Sequence, residues 1–483
     1  MTSAFEVLDK DIAGRLGRLV VESKVVHTPA LLPVVNPHLP LITPAEMHAM
    51  GVEALITNAY IFYHSNRFRE DAEQNGLHRV LGFNGVIMTD SGAFQQSVYG
   101  SVNITNQTTV EFQKMIGSDI LVPLDIPTPP GADRATAEAD LATTLTRLAE
   151  ARELAGERTC AGPVQGGIYP DLRRKAAEQV QALGFTICPI GAVVPLMEQY
   201  RFRDLVRVVL SAKAGLSPSS AVHLFGAGHP SMFALAVAMG CDLFDSAAYA
   251  LFAKDRRYLT GHGSYRLEEL AELPCPCDVC RKHTATELRE SPEVERLLAL
   301  HNLSVTLAEI ARIRQAIRDG TLWELVDERC HGHPRLLDGY HELIRHTGDL
   351  QATDRAAKRR FFYRSWESCH RTEVLQYQHR IQSLSLPPKV VILIGRREGE
   401  YQDETLLFRP PFGPYPPELS ETFPIGQSVI PEWDEDMVRA GCVGIRNLIS
   451  SHPGTVFSIE CSDMWYEVVR SELPDVVVRR AVR

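Results

Sequence analysis

The chain has 483 residues, 45% of them hydrophobic, with 60 acidic against 50 basic side chains and a formal net charge of −10. This length exceeds one ordinary domain and allows a large buried core with one or two smaller units beside it. The acidic balance excludes a globally basic nucleic-acid binder, so any RNA surface has to be a local patch.

From the N-terminus, MTSAFEVLDKDIAGRLGRL is charged throughout and has no secretory pattern; no apolar run is long enough to span a membrane. A soluble cytoplasmic protein with reduced thiols is expected. Short apolar runs of β type then alternate with turns and helical stretches. The runs are ALLPVV from Ala30, ALITNA from Ala54, VIMTD from Val86, ILVPLD from Ile120, AGPVQG from Ala161, FTICPIG from Phe185, VHLFGA from Val222 and LFDSAA from Leu243. Helical stretches fall at 134–155, 170–183, 202–214 and 231–239. Apolar strands alternating with helices imply an α/β fold with a parallel sheet covered on both faces. Eight such units favour a (β/α)8 TIM-type barrel over an open doubly wound sheet, with the catalytic barrel at 1–265. The stretch LAELPCPCDVCRKH breaks the rhythm and opens a metal-binding, helical subdomain at 266–350. The remainder, 351–483, has a strand, KVVILIG from Lys389, and a proline-rich loop, FRPPFGPYPPE, and reads as a small C-terminal α+β domain.

In a parallel barrel, chemistry gathers at the C-terminal ends of the strands. Those ends carry Asp90 in TDSGAFQ, Asp125 in PLDIPT, Gln165 in VQGG, the backbone of Ala192 and Val193 after Gly191, Phe225 in FGAGHP and Asp245 in FDSA. Two carboxylates can act as nucleophile and acid/base at an anomeric carbon. A further carboxylate and an amide can read the hydrogen-bonding edge of a purine. Taken singly, each has a plainer explanation: a strand-end Asp more often caps the next helix, Gly-Gly can be a tight turn, and a Phe usually belongs to the core. Asp242 is assigned to that structural class. The weight lies in the set.

Cys275, Cys277 and Cys280 form C-x-C-x-x-C, a thiolate trio suited to tetrahedral zinc with one ligand missing. His301 in LLALHNL is the preferred fourth ligand, and His283, close behind Cys280, is the alternative. Cys3His leaves no open position, so the site is expected to be structural. The other seven cysteines read as small buried apolar residues.

From about residue 26 to 345 the chain resembles the tRNA-guanine transglycosylases, and their archaeal branch in particular. The resemblance is carried by TDSGAFQ, VQGGIYPDLR, HLFGAGHP, GCDLFDSAAY, the cysteine run with LLALHNL, and TLWELV. PIGAVVPLMEQYRF looks like the archaeal form of the base-binding loop. The resemblance implies that Asp245 attacks the ribose and Asp90 is the general acid/base, although spacing alone leaves those two roles interchangeable. It implies that Asp125 and Gln165 read the base, with the backbone of Ala192, Val193 and Val194 and with Ser91 beside them. Phe94 and Phe225 sandwich the base, and Cys275, Cys277, Cys280 and His301 hold one zinc ion. The implied reaction replaces guanine at position 15 of the tRNA D-arm by 7-cyano-7-deazaguanine, the precursor of archaeosine, in a homodimer. Archaeal relatives commonly end in a PUA domain, for which no match appears before Arg483, so a separate PUA-domain protein is expected to assist. Lys358, Arg359, Arg360 and Arg364 interleave with Phe361, Phe362 and Tyr363, the composition of an RNA-contacting patch or of a charged solvated segment. Three other readings stand beside this one. Exchange at the wobble guanine is opposed by the loop at Pro189. A non-catalytic tRNA-binding partner subunit is opposed by the presence of both Asp90 and Asp245. A metal-dependent barrel hydrolase is opposed by a metal motif that lies outside the barrel strands.

Overall fold

The protein is described by a computed structural model over residues 3–92, 104–395 and 404–481. It divides into two compact units, Met1–Arg318 with Glu328–Glu342, and Asp319–Asp327 with Leu343–Arg483. No helix among the described residues is long and apolar enough to cross a membrane.

The first unit opens with three strands, β1 (Ser3–Asp11), β2 (Gly14–Val21) and β3 (Lys24–Thr28), paired antiparallel in that order. The sequence reading placed no strand here; its first was at Ala30. Phe5, Leu19, Val21 and Val26 share one face of the pleat and are buried, while Glu6 and Arg18 pair on the exposed face. Seven parallel strands follow: β4 (Ala30–Pro33), β5 (Ala54–Asn58), β6 (Val86–Asp90), β7 (Ile120–Leu121), β8 (Ile187–Ile190), β9 (Ala221–Leu224) and β10 (Leu243–Ser246). They form two parallel sheets, β5-β6-β7 and β4-β10-β9-β8. Isolated parallel bridges link the two: Val34 with Ile56, Leu121 with Cys160, and Ala161 and Val164 with Ile187 and Ile190. The expected run AGPVQG is thus present as bridges, not as a strand, and ILVPLD keeps only its first two residues as strand. Pro123 and Pro163 lie in those runs and have no N–H to give to a ladder.

Alternate residues of every segment (Leu32, Ile56, Met88, Val122, Ala161, Ile187, Ala221 and Leu243 among them) pack into one buried cluster with Phe5, Leu19, Val21 and Val26 of the N-terminal sheet. The cluster occupies the N-terminal ends of the strands and leaves their polar C-terminal ends to the site. The expected helix at 134–155 is Arg134–Ala155, started by Asp133, whose side chain accepts the Thr136 N–H at 2.8 Å. Asp242 is structural, as read: it is fully buried and takes the Arg15 guanidinium on both oxygens and the Val222 N–H on one. The hairpin β11 (Arg257–Leu259) and β12 (Ser264–Arg266) leads into the cysteine run and the long helix Val294–Asp319.

The second unit pairs β13 (Phe361–Phe362) with a later short strand, and builds a five-stranded sheet from β14 (Lys389–Ile394), β15 (Thr405–Arg409), β16 (Gly413–Tyr415), β18 (Val456–Cys461) and β19 (Val477–Arg480), the partner of β13 being β17 (Ser428–Val429). The order is β16-β15-β14-β18-β19, parallel except for the β15–β16 edge, with the amphipathic helix Glu435–Ser451 on its core. The basic–aromatic segment does not form one surface. Lys358 is buried between Asp354 and Glu373, 3.0 Å from each carboxylate, and Phe361 lies in the core. Arg364 pairs with Asp327, while Arg359, Arg360 and Phe362 stay exposed. The buried Lys358 and Phe361 are thereby separated from the exposed Arg360, which lies over the Phe362 ring.

Candidate active site

A cavity of about 1450 Å³ opens at the C-terminal ends of the parallel segments. Asp90, Asp125, Gln165, Gly191, Ala192, Val194, Phe225, Gly226 and Asp245 all line it. Asp90 ends β6 and Asp245 lies in β10, so two strands from different sheets deliver the two carboxylates the sequence singled out. Gly191 has to be glycine, because a Cβ there falls 2.3 Å from the Gln165 amide nitrogen.

Each carboxylate has its own surroundings. Asp90 accepts the Asn58 side-chain amide at 3.2 Å. Burial, with the charges of Asp125 and Asp245 added to it, pushes its pKa up to about 7 against the opposing N–H groups of Gly92 and Ser91. Asp125 accepts the Gln165 Nε2–H on Oδ2 at 2.5 Å. Burial raises its pKa also, opposed by that bond and by the charges of Arg147 and Arg173. Gln165 is fully buried, and its Oε1 has no hydrogen-bond partner among the described residues. Asp245 accepts two bonds on Oδ1, from the Gly226 N–H at 2.8 Å and from His223 Nε2 at 2.9 Å. Among the described residues nothing bonds its Oδ2.

Other expected site residues fall as follows. Ser91 is buried beside Asp90 and bonds it through the backbone. Phe225 stands edge-on to His223 at 4.6 Å. Ala192 is held at φ +57°, a left-handed conformation rare for a residue with a side chain. Val193 is wholly buried, and Val194 packs over Gly226, where a Cβ would lie 2.3 Å from it. Phe94 lies outside the described residues.

Three contributors escaped the sequence reading. His223 and Asn58 each act on a carboxylate from a neighbouring strand, through parallel pairing that no local motif announces. Arg173, fully buried, donates to the carbonyls of Val164 at 2.7 Å and Gly167 at 2.8 Å and so fixes the turn that carries Gln165. Burial lowers its pKa to about 9. Only the unusual position of an Arg among the alanines and leucine of a helix face hinted at it.

The cysteine run also converges. The ligand atoms of Cys275, Cys277, Cys280 and His301 all lie within 4.8 Å of one another. His301 Nδ1 is 3.4 Å from the Sγ atoms of both Cys277 and Cys280. Tetrahedral zinc, with Zn–S near 2.3 Å and Zn–N near 2.0 Å, sets N and S roughly 3.5 Å apart. His301 Nε2 donates to the Leu259 carbonyl at 2.9 Å, which leaves Nδ1 for a metal. Tyr258 stacks on the His301 ring, with its hydroxyl 3.3 Å from Cys280 Sγ. His283 bonds the Val279 carbonyl instead and is not part of the cluster. The four residues can hold a metal ion.

Comparison with known proteins adds three findings. A family model described as queuine tRNA-ribosyltransferase matches residues 10–335. A protein of Methanosarcina acetivorans named tRNA-guanine(15) transglycosylase is 50% identical over 95% of this chain and 94% of its own length. Proteins of the same name from Haloarcula marismortui and Thermococcus kodakarensis are each 47% identical, over 98% and 89% of this chain and 98% and 72% of their own lengths.

Proposed function

The chain belongs to the tRNA-guanine transglycosylase family, a family of transferases, and from that premise we propose that it exchanges the guanine at position 15 of tRNA for 7-cyano-7-deazaguanine through a covalent aspartyl-ribose intermediate. One observation carries the chemistry: three carboxylates meet on one cavity in three different states. Asp245 is anchored through Oδ1, which leaves Oδ2 as the attacking oxygen. Asp90 titrates near neutrality, where an acid/base works best. Asp125 and the unpartnered Gln165 Oε1 offer acceptors to the N–H groups of a guanine edge. The name of the relatives, tRNA-guanine(15) transglycosylase, supports position 15.

In the first displacement Asp245 Oδ2 bonds to ribose C1′, and the C1′–N9 bond breaks with its electron pair on guanine. Asp90 gives its proton to the departing base. In the second, the incoming base loses a proton to Asp90 and attacks C1′, and the ester bond breaks to restore the Asp245 carboxylate. The His223 and Gly226 donors on Oδ1 hold the carboxylate in place and support the charge it regains. One glycosidic bond replaces another, so no redox step enters.

The eight parallel segments are read as a closed (β/α)8 barrel. Their pairing supports this, since strands and bridges run parallel from β4 through β5, β6, β7, Ala161, β8 and β9 to β10 and back to β4. The Cys3His cluster is read as structural zinc. The protein is read as a homodimer, which light scattering checks.

Exchange of radiolabelled guanine into transcribed tRNA, with nucleotide mapping, tests the reading. Wild type is expected to form a denaturant-resistant tRNA adduct, and Asp245→Asn to give neither adduct nor exchange. An adduct that survives in Asp245→Asn but vanishes in Asp90→Asn reverses the two roles. Label arriving only at the wobble guanine refutes the assignment of position 15.

A further inference from the structure

We propose that Tyr200, backed by His333, is a stacking platform for the tRNA nucleobase that flanks the guanine being exchanged; this rests on the exchange reading above. The short helix Val194–Glu198 closes with two bonds, from the Tyr200 N–H to the Met197 carbonyl at 3.0 Å and from the Arg201 N–H to the Leu196 carbonyl at 2.7 Å. That closing motif puts its central residue in the left-handed region, and Tyr200 has φ +56°. Glycine is the residue that takes this conformation without a steric penalty. A tyrosine here is strained, and it does not recover the strain by burial, because 53% of its surface is exposed.

The ring is nevertheless held in one attitude. It lies flat against His333, with centroids 5.1 Å apart and planes within 13°, and it meets the edge of Phe202. His333 is itself fixed, since its Nδ1 accepts the Arg335 N–H at 3.1 Å at the start of the helix Pro334–Ile344. Both rings line the cavity that holds the three carboxylates. Strain that persists in an exposed residue at such a cavity points to a use for the side chain.

An RNA base can enter an enclosed cavity only after leaving its stack, which uncovers a face of its neighbour. A rigid aromatic surface takes up that face and tolerates any base, because every base has one. Tyr200 stands at the cavity with more than half its surface free, so it suits a flanking base and not the guanine held by Asp125 and Gln165.

The test uses the full-length enzyme and a tRNA with 2-aminopurine next to the target guanine. Wild type is expected to quench the 2-aminopurine on binding, and Tyr200→Gly to leave it bright. Tyr200→Gly raises the KM for tRNA about tenfold with little change in the KM for free guanine. Its melting temperature stays level or rises, since glycine relieves the strain. Tyr200→Trp keeps both quenching and KM. Quenching and tRNA KM unaltered in Tyr200→Gly overturn the proposal, as does a change of oligomeric state that accounts for the loss. Quenching is read without turnover, so a wild type that quenches but exchanges no guanine leaves the platform standing and removes the exchange reading instead.

Discussion

Asp90→Asn should stabilise the protein more as the pH rises. The Asp90 pKa is raised from 3.8 to about 7, chiefly by burial. The native state therefore holds a proton between those values that the unfolded chain has released, and stability falls with rising pH through that window. The cost is absent below pH 3.8 and complete above pH 7. At 1.36 kcal/mol per pKa unit the full shift corresponds to about 4 kcal/mol, and the part of the carboxyl open to the cavity reduces this to about 2 kcal/mol. Asparagine keeps the shape, can still accept the Asn58 amide, and removes the charge facing Asp125 and Asp245. Thermal melts of wild type and Asp90→Asn from pH 4 to 8 should diverge progressively between pH 4 and 7, reaching roughly 3 °C above pH 7, with the variant higher. The same carboxyl should give wild-type exchange an alkaline limb near pH 7, where the proton for the leaving base is lost. A melting difference that stays flat with pH shows an ordinary carboxylate at Asp90, and the general-acid assignment then fails with it.

Three further outcomes are expected. Freshly purified protein should contain one zinc per chain by elemental analysis, and Cys280→Ala should lose metal and thermal stability together, because binding energy at such a site is folding energy; metal-free protein that melts normally removes the claim. Asp125→Ala should abolish guanine exchange while tRNA still binds, at a cost on the order of 1–3 kcal/mol for each unpaired donor; exchange at the wild-type rate makes Asp125 a structural residue. Lys358→Ala should destabilise the second unit by about 3 kcal/mol, since it removes the cation buried between Asp354 and Glu373 while Glu373 keeps Arg371; denaturant melts check this, and a loss of RNA affinity with unchanged stability would restore Lys358 to a surface role.

Local signals carried far in this chain. The C-x-C-x-x-C spacing set Cys275, Cys277 and Cys280 close to one another, and the chain returns His301 to them on the helix Val294–Asp319. The apolar runs found their strands wherever an unbroken backbone could pair, and the strand ends Asp90, Asp125, Gln165 and Asp245 reached one cavity because parallel strands put all their C-terminal ends on one side. The charged N-terminal segment misled, since net charge says nothing about which face of a pleat carries it. Lys358 misled for the same reason, its partners Asp354 and Glu373 being supplied by folding. The sequence alone determined which residues carry groups capable of the chemistry: a carboxylate, an amide or a thiolate is the same group wherever it lies. The tertiary structure decided their states. Asp90 titrates near pH 7 only because burial and two other carboxylates surround it, and Asp245 presents one oxygen because His223, a strand away, and the Gly226 N–H hold the other. Desolvation and cross-strand hydrogen bonds depend on distance in space, which distance along the chain does not encode.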